Sequence, residues 1–128
     1  RSPEINEYVS DFSSQYCIRN LLFDYQRSQV DFAKNNHLAG VVMEGRDIGT
    51  VILPDADLKI FLEADSGIRA NRRIQDGESD QITNRDEKDT TRKIAPLVPA
   101  NGCIHVDTGI LGIEEVTKSI LDVIETLT

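Results

Sequence analysis

Three charged residues and a glycine directly follow a short apolar stretch near the middle of the chain. Residues 41–43 are Val-Val-Met, and Glu44-Gly45-Arg46-Asp47 comes next. This pattern is typical of a buried parallel strand that delivers polar groups to a site at its C-terminal edge. Gly45 lets the backbone approach a ligand closely, and the Arg46 guanidinium is a forked donor suited to phosphate. The alternative is a strand-to-loop junction with solvated charges.

A second group of charges lies on a predicted helix that begins at Thr83 and runs to Lys93. Arg85, Asp89 and Arg92 are spaced at i, i+4 and i+7, so they share one helical face. Two guanidiniums ordered by the carboxylate between them could bind an anion. The alternative is a solvent-exposed ladder of salt bridges, which stabilises a helix by about 0.3–0.5 kcal/mol per pair. The spacing alone does not separate the two.

The elements that must position these residues alternate between helix and strand. Helices are predicted over residues 2–12, 15–35, 65–73, 83–93 and 113–127, and strands over 41–43, 58–64 and 103–106. Residues 50–53 form a further short, β-branched stretch. Strands that alternate with helices indicate an α/β domain, with a parallel sheet and flanking helices.

The composition is that of a soluble globular protein of one domain. The 128 residues are 39% hydrophobic and 28% charged, which is enough to bury a core. No apolar run approaches the ~20 residues that span a bilayer, and no secretion signal is visible. The net charge of -8 argues against a general nucleic-acid binder. Cys17 and Cys103 lack metal-ligand spacing, which favours a reduced, cytoplasmic protein.

Half of the basic residues are concentrated in one segment. Residues 69–93 contain seven of the fourteen Lys and Arg residues. A local cationic cluster in an acidic protein suits a small polyanion such as a nucleotide phosphate. The alternative is a charged helical surface that is balanced by Asp86, Glu87 and Asp89.

Three segments together resemble the bacterial cytidylate kinases, which phosphorylate CMP and dCMP from ATP. They are Glu44-Gly45-Arg46-Asp47-Ile48-Gly49-Thr50-Val51 with Pro54-Asp55-Ala56, then Arg85-Asp86-Glu87-Lys88-Asp89, and finally Ile94-Ala95-Pro96-Leu97-Val98-Pro99-Ala100. The resemblance covers essentially the whole chain and implies an α/β fold like that of P-loop nucleoside monophosphate kinases. It also implies a single domain with acceptor-binding helices in residues 1–40, core elements in 41–73 and 94–128, and a lid at about 74–93.

The resemblance assigns the first group of residues to a CMP site. Arg46 is expected to contact the CMP phosphate and to act in catalysis. Asp47 is expected to accept a hydrogen bond from the cytosine amino group, where uracil presents a carbonyl instead. Ser10 and Arg19 match positions beside the base.

The second group is assigned to the ribose and the phosphates. Arg85 and Asp89 match residues at the ribose and the CMP phosphate, and Arg92 matches a lid arginine near the transferred phosphate. Arg85 and Arg92 are therefore also expected to act in catalysis, because arginines position phosphates and offset charge in phosphoryl transfer. Arg72 and Arg73, at the entry to the lid, are weaker candidates for the ATP side.

Two features depart from that family. No Gly-x-x-x-x-Gly-Lys-[Ser/Thr] phosphate loop occurs in the 128 residues. Gly40 and Gly45 have the glycine spacing, but an arginine and an aspartate follow, and the residues between the glycines are strand-like. The loop that grips ATP, and the main ligands of its Mg²⁺, are therefore expected in an N-terminal segment upstream of Arg1. The segment between Arg73 and Arg85 is also short for a lid hinge.

These features predict the CMP-binding and lid part of a cytidylate kinase, monomeric when complete and active only with its N-terminal segment and Mg²⁺-ATP. In this fold family the strand before the phosphate loop lies between strands 41–43 and 58–64. The chain is therefore expected not to fold alone, since unpaired buried amides cost about 1–3 kcal/mol each. Two alternatives remain: a kinase for another nucleoside monophosphate, and a non-catalytic nucleotide-binding or assembly module. Neither a nucleic acid nor a membrane is expected as a partner.

Overall fold

The computed structural model of the chain describes residues 8–9, 11–77, 82–91 and 93–127, with the backbone alone for residues 82–85. Its described elements are helix α1 (Tyr16–Asn35), a π-helical turn (Ile48–Ile52), strand β1 (Ile60–Glu63), helices α2 (Ser66–Gln75) and α3 (Ile82–Thr91), strand β2 (Ile104–Asp107) and helix α4 (Ile113–Leu127). Parallel strands are flanked by helices, so the predicted α/β fold is confirmed.

The sheet consists of β1 and β2, which pair in parallel with Ile60 opposite Ile104. Helices α2 and α3 lie between the two strands in sequence, because a parallel pair needs a long crossover connection. The pairing continues past the strand ends, where the Thr108 N–H donates to the carbonyl oxygen of Glu63 at 2.7 Å. Val106 of β2 is buried. Both strands therefore form where the sequence predicted them, with boundaries shifted by one or two residues.

The strand predicted over residues 41–43 does not form, and this expectation was wrong. These residues have no regular secondary structure, and the Val42 residue is 98% exposed. A strand needs a neighbour whose backbone groups pair with its own. No backbone within the described ranges pairs with this stretch. The apolar run was therefore insufficient to predict a strand, because a strand also depends on its partner.

The β-branched stretch after the charged loop forms the π-helical turn Ile48–Ile52. The Ile52 N–H donates to the Asp47 carbonyl at 3.3 Å, and the Leu53 N–H donates to the Ile48 carbonyl at 2.7 Å, which is the i to i−5 pattern. Arg27 of α1 donates from Nε to the Ile52 carbonyl at 2.8 Å. The turn therefore fixes the charged loop against α1.

The N-terminus of α2 follows the capping signal in the sequence. The Asp65 side chain accepts a hydrogen bond from the Gly67 N–H at 2.8 Å, as an N-cap aspartate does. Helices α2 and α3 end within two residues of their predicted ends, and α4 has its predicted bounds.

The C-terminus of α1 is a Schellman motif built without glycine. The Leu38 N–H bonds the Ala33 carbonyl at 3.0 Å, and the His37 N–H bonds the Lys34 carbonyl at 3.2 Å. His37 takes the left-handed conformation, with φ of 53°, and its side chain is exposed.

Fully buried side chains are few in the described part of the chain. The buried residues are Ala33, Ile52, Ala95, Val106 and Asp89. The apolar faces of α1 and α4 are largely open, with Leu21 78% and Ile113 82% exposed. Within the described ranges, no helix has the length and apolar character needed to cross a membrane.

Candidate functional site

The charged loop before the π-helical turn is shaped by a close approach at Gly45. A β carbon at Gly45 would lie 2.8 Å from Cγ1 of Ile48, so a side chain there would force the Ile48 side chain to move. The Asp47 carbonyl accepts from the Val51 N–H at 2.9 Å, in the first turn of the same segment. The loop therefore presents Arg46 and Asp47 from a backbone that is held by the turn directly after it.

These two residues face a cavity of about 440 Å³ next to α1. The lining includes four of the residues that the sequence singled out, namely Arg19, Arg46, Asp47 and Asp89. The rest of the wall is mostly apolar or aromatic: Val9, Ser13, Tyr16, Ile18, Asn20, Leu22, Phe23, Gln26, Val51, Ile52 and Ile94. An apolar cavity with a few convergent charged groups is the usual form of a small-molecule site.

At the α1 side of the cavity, Arg19 and Asp47 form an ion pair through Nη2 and Oδ2. The Nη1 atom of Arg19 donates to the Ser13 carbonyl at 3.1 Å. Both charged side chains are largely shielded from solvent. A carboxylate held in this way keeps a fixed orientation and can accept a hydrogen bond from a donor in the cavity.

At the α3 side, Arg46 is bound by two carboxylates. Its Nη1 contacts Oδ1 of Asp86 at 2.5 Å, and its Nε contacts Oδ2 of Asp89 at 3.0 Å. The second oxygen of Asp86 pairs with Nη1 of Arg69 on α2. Asp89 is only 2% exposed, and a charge that is so deeply buried is stable only when it is paired. We call Arg46, Arg69, Asp86 and Asp89 the arginine–aspartate cluster.

Among the described residues, the predicted site residues Arg72 and Arg73 do not line the cavity. Arg72 donates from Nη2 to the Thr108 carbonyl at 2.6 Å, beside the end of β2, and Arg73 is half-buried on α2 away from the cavity. The backbone of Arg85 belongs to α3, but its side chain lies outside the description. Ser10 and Arg92 also lie outside the described residues.

Two members of the cluster, Asp86 and Arg69, were not predicted as site residues. Asp86 was expected in a charged helical surface and in one of the family segments, yet its carboxylate joins two arginines. It lies three residues before Asp89, so the two aspartates share one face of α3. This spacing was visible in the sequence, whereas the partner in α2 could not be identified without the fold.

The cationic segment that includes residues 69–93 does not form one open patch in its described part. Lys88 pairs with both carboxylate oxygens of Asp11 at 3.1 Å. Arg69 and Arg72 are engaged with Asp86 and Thr108. Lys88 and Arg69 therefore fit the alternative of charges balanced within the protein, whereas Arg72 bonds neutral oxygens of Thr108.

The family model for cytidylate kinase matches residues 1–126 of the chain. The cytidylate kinase of Pediococcus pentosaceus is 40% identical over 136 residues, which cover 98% of this chain and 58% of that protein. The cytidylate kinase of Thermosipho melanesiensis is 41% identical and covers 98% of this chain and 60% of that protein.

A bifunctional pantoate ligase/cytidylate kinase of Prochlorococcus marinus is also similar, with 42% identity over 96% of this chain and 25% of that protein. The chain thus spans about 60% or less of the length of these relatives. The alignments of 136 residues exceed the 128 of the chain, so the relatives carry internal residues that this chain lacks. The chain belongs to the cytidylate kinase family.

Proposed function

We propose that the protein containing this chain transfers a phosphoryl group from ATP to CMP or dCMP. In this proposal the chain supplies the CMP-binding and lid part, and the products are CDP or dCDP. The observation that carries the proposal is the convergence of Arg19, Arg46, Asp47 and Asp89 on one cavity. Its volume of about 440 Å³ is in the range of small-molecule sites.

The base is proposed to bind beside Asp47. The carboxylate accepts a hydrogen bond from the exocyclic amino group of cytosine, whereas the carbonyl of uracil at that position would face it unfavourably. Arg19 holds this carboxylate in place, and Tyr16 and Phe23 line the same cavity. Flat aromatic surfaces suit a planar base. Ser10, from the resemblance, is proposed beside the base as well.

The phosphate is proposed to bind at Arg46. A guanidinium offers five N–H donors, and its contacts with Asp86 and Asp89 use Nη1 and Nε. Arg85, Asp89 and Arg92 are proposed to complete the ribose and phosphate site. These arginines act by position and charge, because phosphoryl transfer requires little covalent chemistry from the protein.

ATP and Mg²⁺ are proposed to bind mainly through residues outside the described ones. Among residues 8–9, 11–77, 82–91 and 93–127, no three His, Cys, Asp or Glu side chains are grouped so that they could hold a metal ion. Magnesium would neutralise charge on the transferred phosphate. Arg72 and Arg73 remain weak proposals for the ATP side. We further propose a monomer that works in the cytoplasm, in pyrimidine nucleotide metabolism.

The test is phosphoryl transfer by the full-length protein to CMP, dCMP, UMP, AMP and GMP with Mg²⁺-ATP. We expect CMP and dCMP to have kcat/KM values at least about tenfold above that of UMP, because one hydrogen bond to a charged group contributes about 1.5–3 kcal/mol. Equal turnover of UMP and CMP would favour a kinase with broader specificity for nucleoside monophosphates. Binding of CMP without any transfer would favour a non-catalytic nucleotide-binding protein.

A further inference from the structure

One carboxylate joins two segments that are distant in sequence. Asp86 on α3 contacts Arg46 of the charged loop through one oxygen and Arg69 of α2 through the other. The Asp86 side chain is mostly shielded from solvent, so water competes weakly for these contacts. The carboxylate therefore fixes the position of one guanidinium relative to the other.

Arg69 is itself tied to the sheet. Its Nε donates to the Ala64 carbonyl at 3.0 Å, directly after the last residue of β1. The contacts therefore run from the end of the sheet to Arg69, then to Asp86, and then to Arg46. The long, flexible side chain of Arg46 is linked in this way to the rigid backbone at the end of β1.

Asp86 and Arg69 are absent from the described residues that line the cavity, whereas Arg46 is one of them. Neither side chain lines the cavity, so the two residues can act on a ligand there by ordering Arg46 or by their charges at a distance. Ordering a guanidinium before the ligand arrives removes an entropy cost from binding.

We propose that Asp86 is a positioning residue, which holds the Arg46 guanidinium toward the cavity through its link to Arg69 and so strengthens the binding of the substrate phosphate. This inference rests on the proposed function, in which Arg46 binds the phosphate of CMP. It adds two residues that do not touch the substrate but set the orientation of one that does.

Asp86 could act by positioning Arg46 or only through its own negative charge. The two explanations predict opposite changes in the affinity for CMP when Asp86 is replaced by Asn. The substitution removes a negative charge close to the phosphate, so charge alone would tighten the binding of a phosphate. Positioning predicts weaker binding, since the amide is a poorer acceptor and Arg46 loses its orientation. For Arg69→Gln, positioning again predicts weaker binding. Charge alone would therefore change the affinity for CMP in opposite directions in the two variants. Positioning predicts a weaker affinity for CMP in both.

The experiment measures the dissociation constants of CMP and cytidine for the full-length protein without ATP, by calorimetry. Cytidine lacks the phosphate, so the ratio of the two constants isolates the phosphate contribution. We expect Asp86→Asn and Arg69→Gln each to weaken CMP binding by about five- to thirtyfold, with cytidine binding within about twofold of wild type. The double variant should lose little more than either single one, because the two residues act through one chain of contacts.

Glu87→Gln is the matched control, because it removes the same charge from an exposed neighbour on α3, and it should leave both constants unchanged. Tighter or unchanged CMP binding by Asp86→Asn would overturn the inference, as would an equal loss for cytidine. If Asp86→Asn does not fold, Asp86→Glu replaces it, because glutamate keeps the negative charge and displaces the carboxylate. Positioning then predicts weaker CMP binding, whereas charge alone predicts no change. If the wild-type protein itself binds CMP no better than cytidine, the proposed phosphate site fails instead.

Discussion

Arg46 and Asp47 are adjacent in sequence, yet the structure gives them different partners. Arg46 is held by aspartates of α3, and Asp47 is held by an arginine of α1. Their side chains can therefore serve different parts of one ligand. The proposed function assigns the phosphate to the first and the base to the second.

This assignment predicts different losses for two alanine variants of the full-length protein. Arg46→Ala should lower kcat/KM for CMP and UMP alike, by about tenfold or more, because a charged hydrogen bond to the phosphate is lost. Asp47→Ala should mainly reduce the ratio of CMP to UMP turnover, by about tenfold. Initial rates with both nucleotides measure the two effects.

Lys34→Ala and Asp55→Ala are the controls, since both side chains are exposed and lie outside the cavity. Their rates should match the wild type. Losses of the same size for both nucleotides in both site variants would contradict the separate roles of Arg46 and Asp47.

Much of the site at this scale could be predicted from residue types. Arginines and aspartates near Gly45 and on α3 indicated an anion site, and three of them, Arg46, Asp47 and Asp89, line the cavity. Arg19 of α1 was named only through the family resemblance. The pairing of Asp86 with Arg69 could not be predicted, because it depends on how α2 and α3 pack. Spacing along a helix shows which side chains share a face, but not what they meet.

At the scale of elements, the C-terminus of α1 contains an evident strain. His37 occupies the left-handed position that glycine takes most easily, with φ of 53°. Its side chain is exposed, so a residue without a β carbon would lose little packing there.

We therefore expect His37→Gly to raise the free energy of unfolding by about 0.5–1 kcal/mol, because the penalty for a left-handed residue with a β carbon exceeds the entropy cost of glycine. Urea denaturation of the full-length protein, followed by circular dichroism, measures the change. His37→Ala retains the β carbon and should give no gain. A stability equal to or below that of the wild type for the glycine variant would show that the strain is small.

The elements that were predicted correctly are determined by residues that lie within or next to them in sequence. Asp65 caps α2, and the apolar spacing of α4 alone gave its bounds. Residues 41–43 were predicted as a strand and do not form one. A strand depends on a pairing partner, which the spacing of apolar residues does not reveal. The π-helical turn was also beyond prediction, since its i to i−5 bonds arise where the chain must fit around Gly45 and α1.

At the scale of the whole molecule, large apolar side chains remain open to solvent. Val42, Leu21 and Ile113 are among the most exposed, and burial of a large aliphatic side chain contributes about 1.5–3 kcal/mol. The relatives are longer than this chain, which covers 58% of one and 60% of another. The N-terminal segment predicted from the resemblance would supply surface to cover these groups.

We predict that the 128 residues expressed alone lack a sharp, cooperative thermal transition and a native near-ultraviolet circular dichroism spectrum. Joining them to the N-terminal segment of the Pediococcus pentosaceus protein should restore both signals. Thermal melts of the two proteins at equal concentration provide the comparison. A cooperative melt of the 128 residues alone would mean that their few buried contacts suffice for a stable fold.

The register of the sheet has a consequence for the order of folding. Residue 60 pairs with residue 104, so two positions that lie 44 residues apart must be brought together before β1 and β2 pair. The entropy of that closure is lost before the pairing compensates for it. The Schellman motif and the helical caps need only a few neighbouring residues and can form within microseconds. The sheet should therefore be completed late, after the helices, and the Asp86 link between α2 and α3 lies within the loop that has to close.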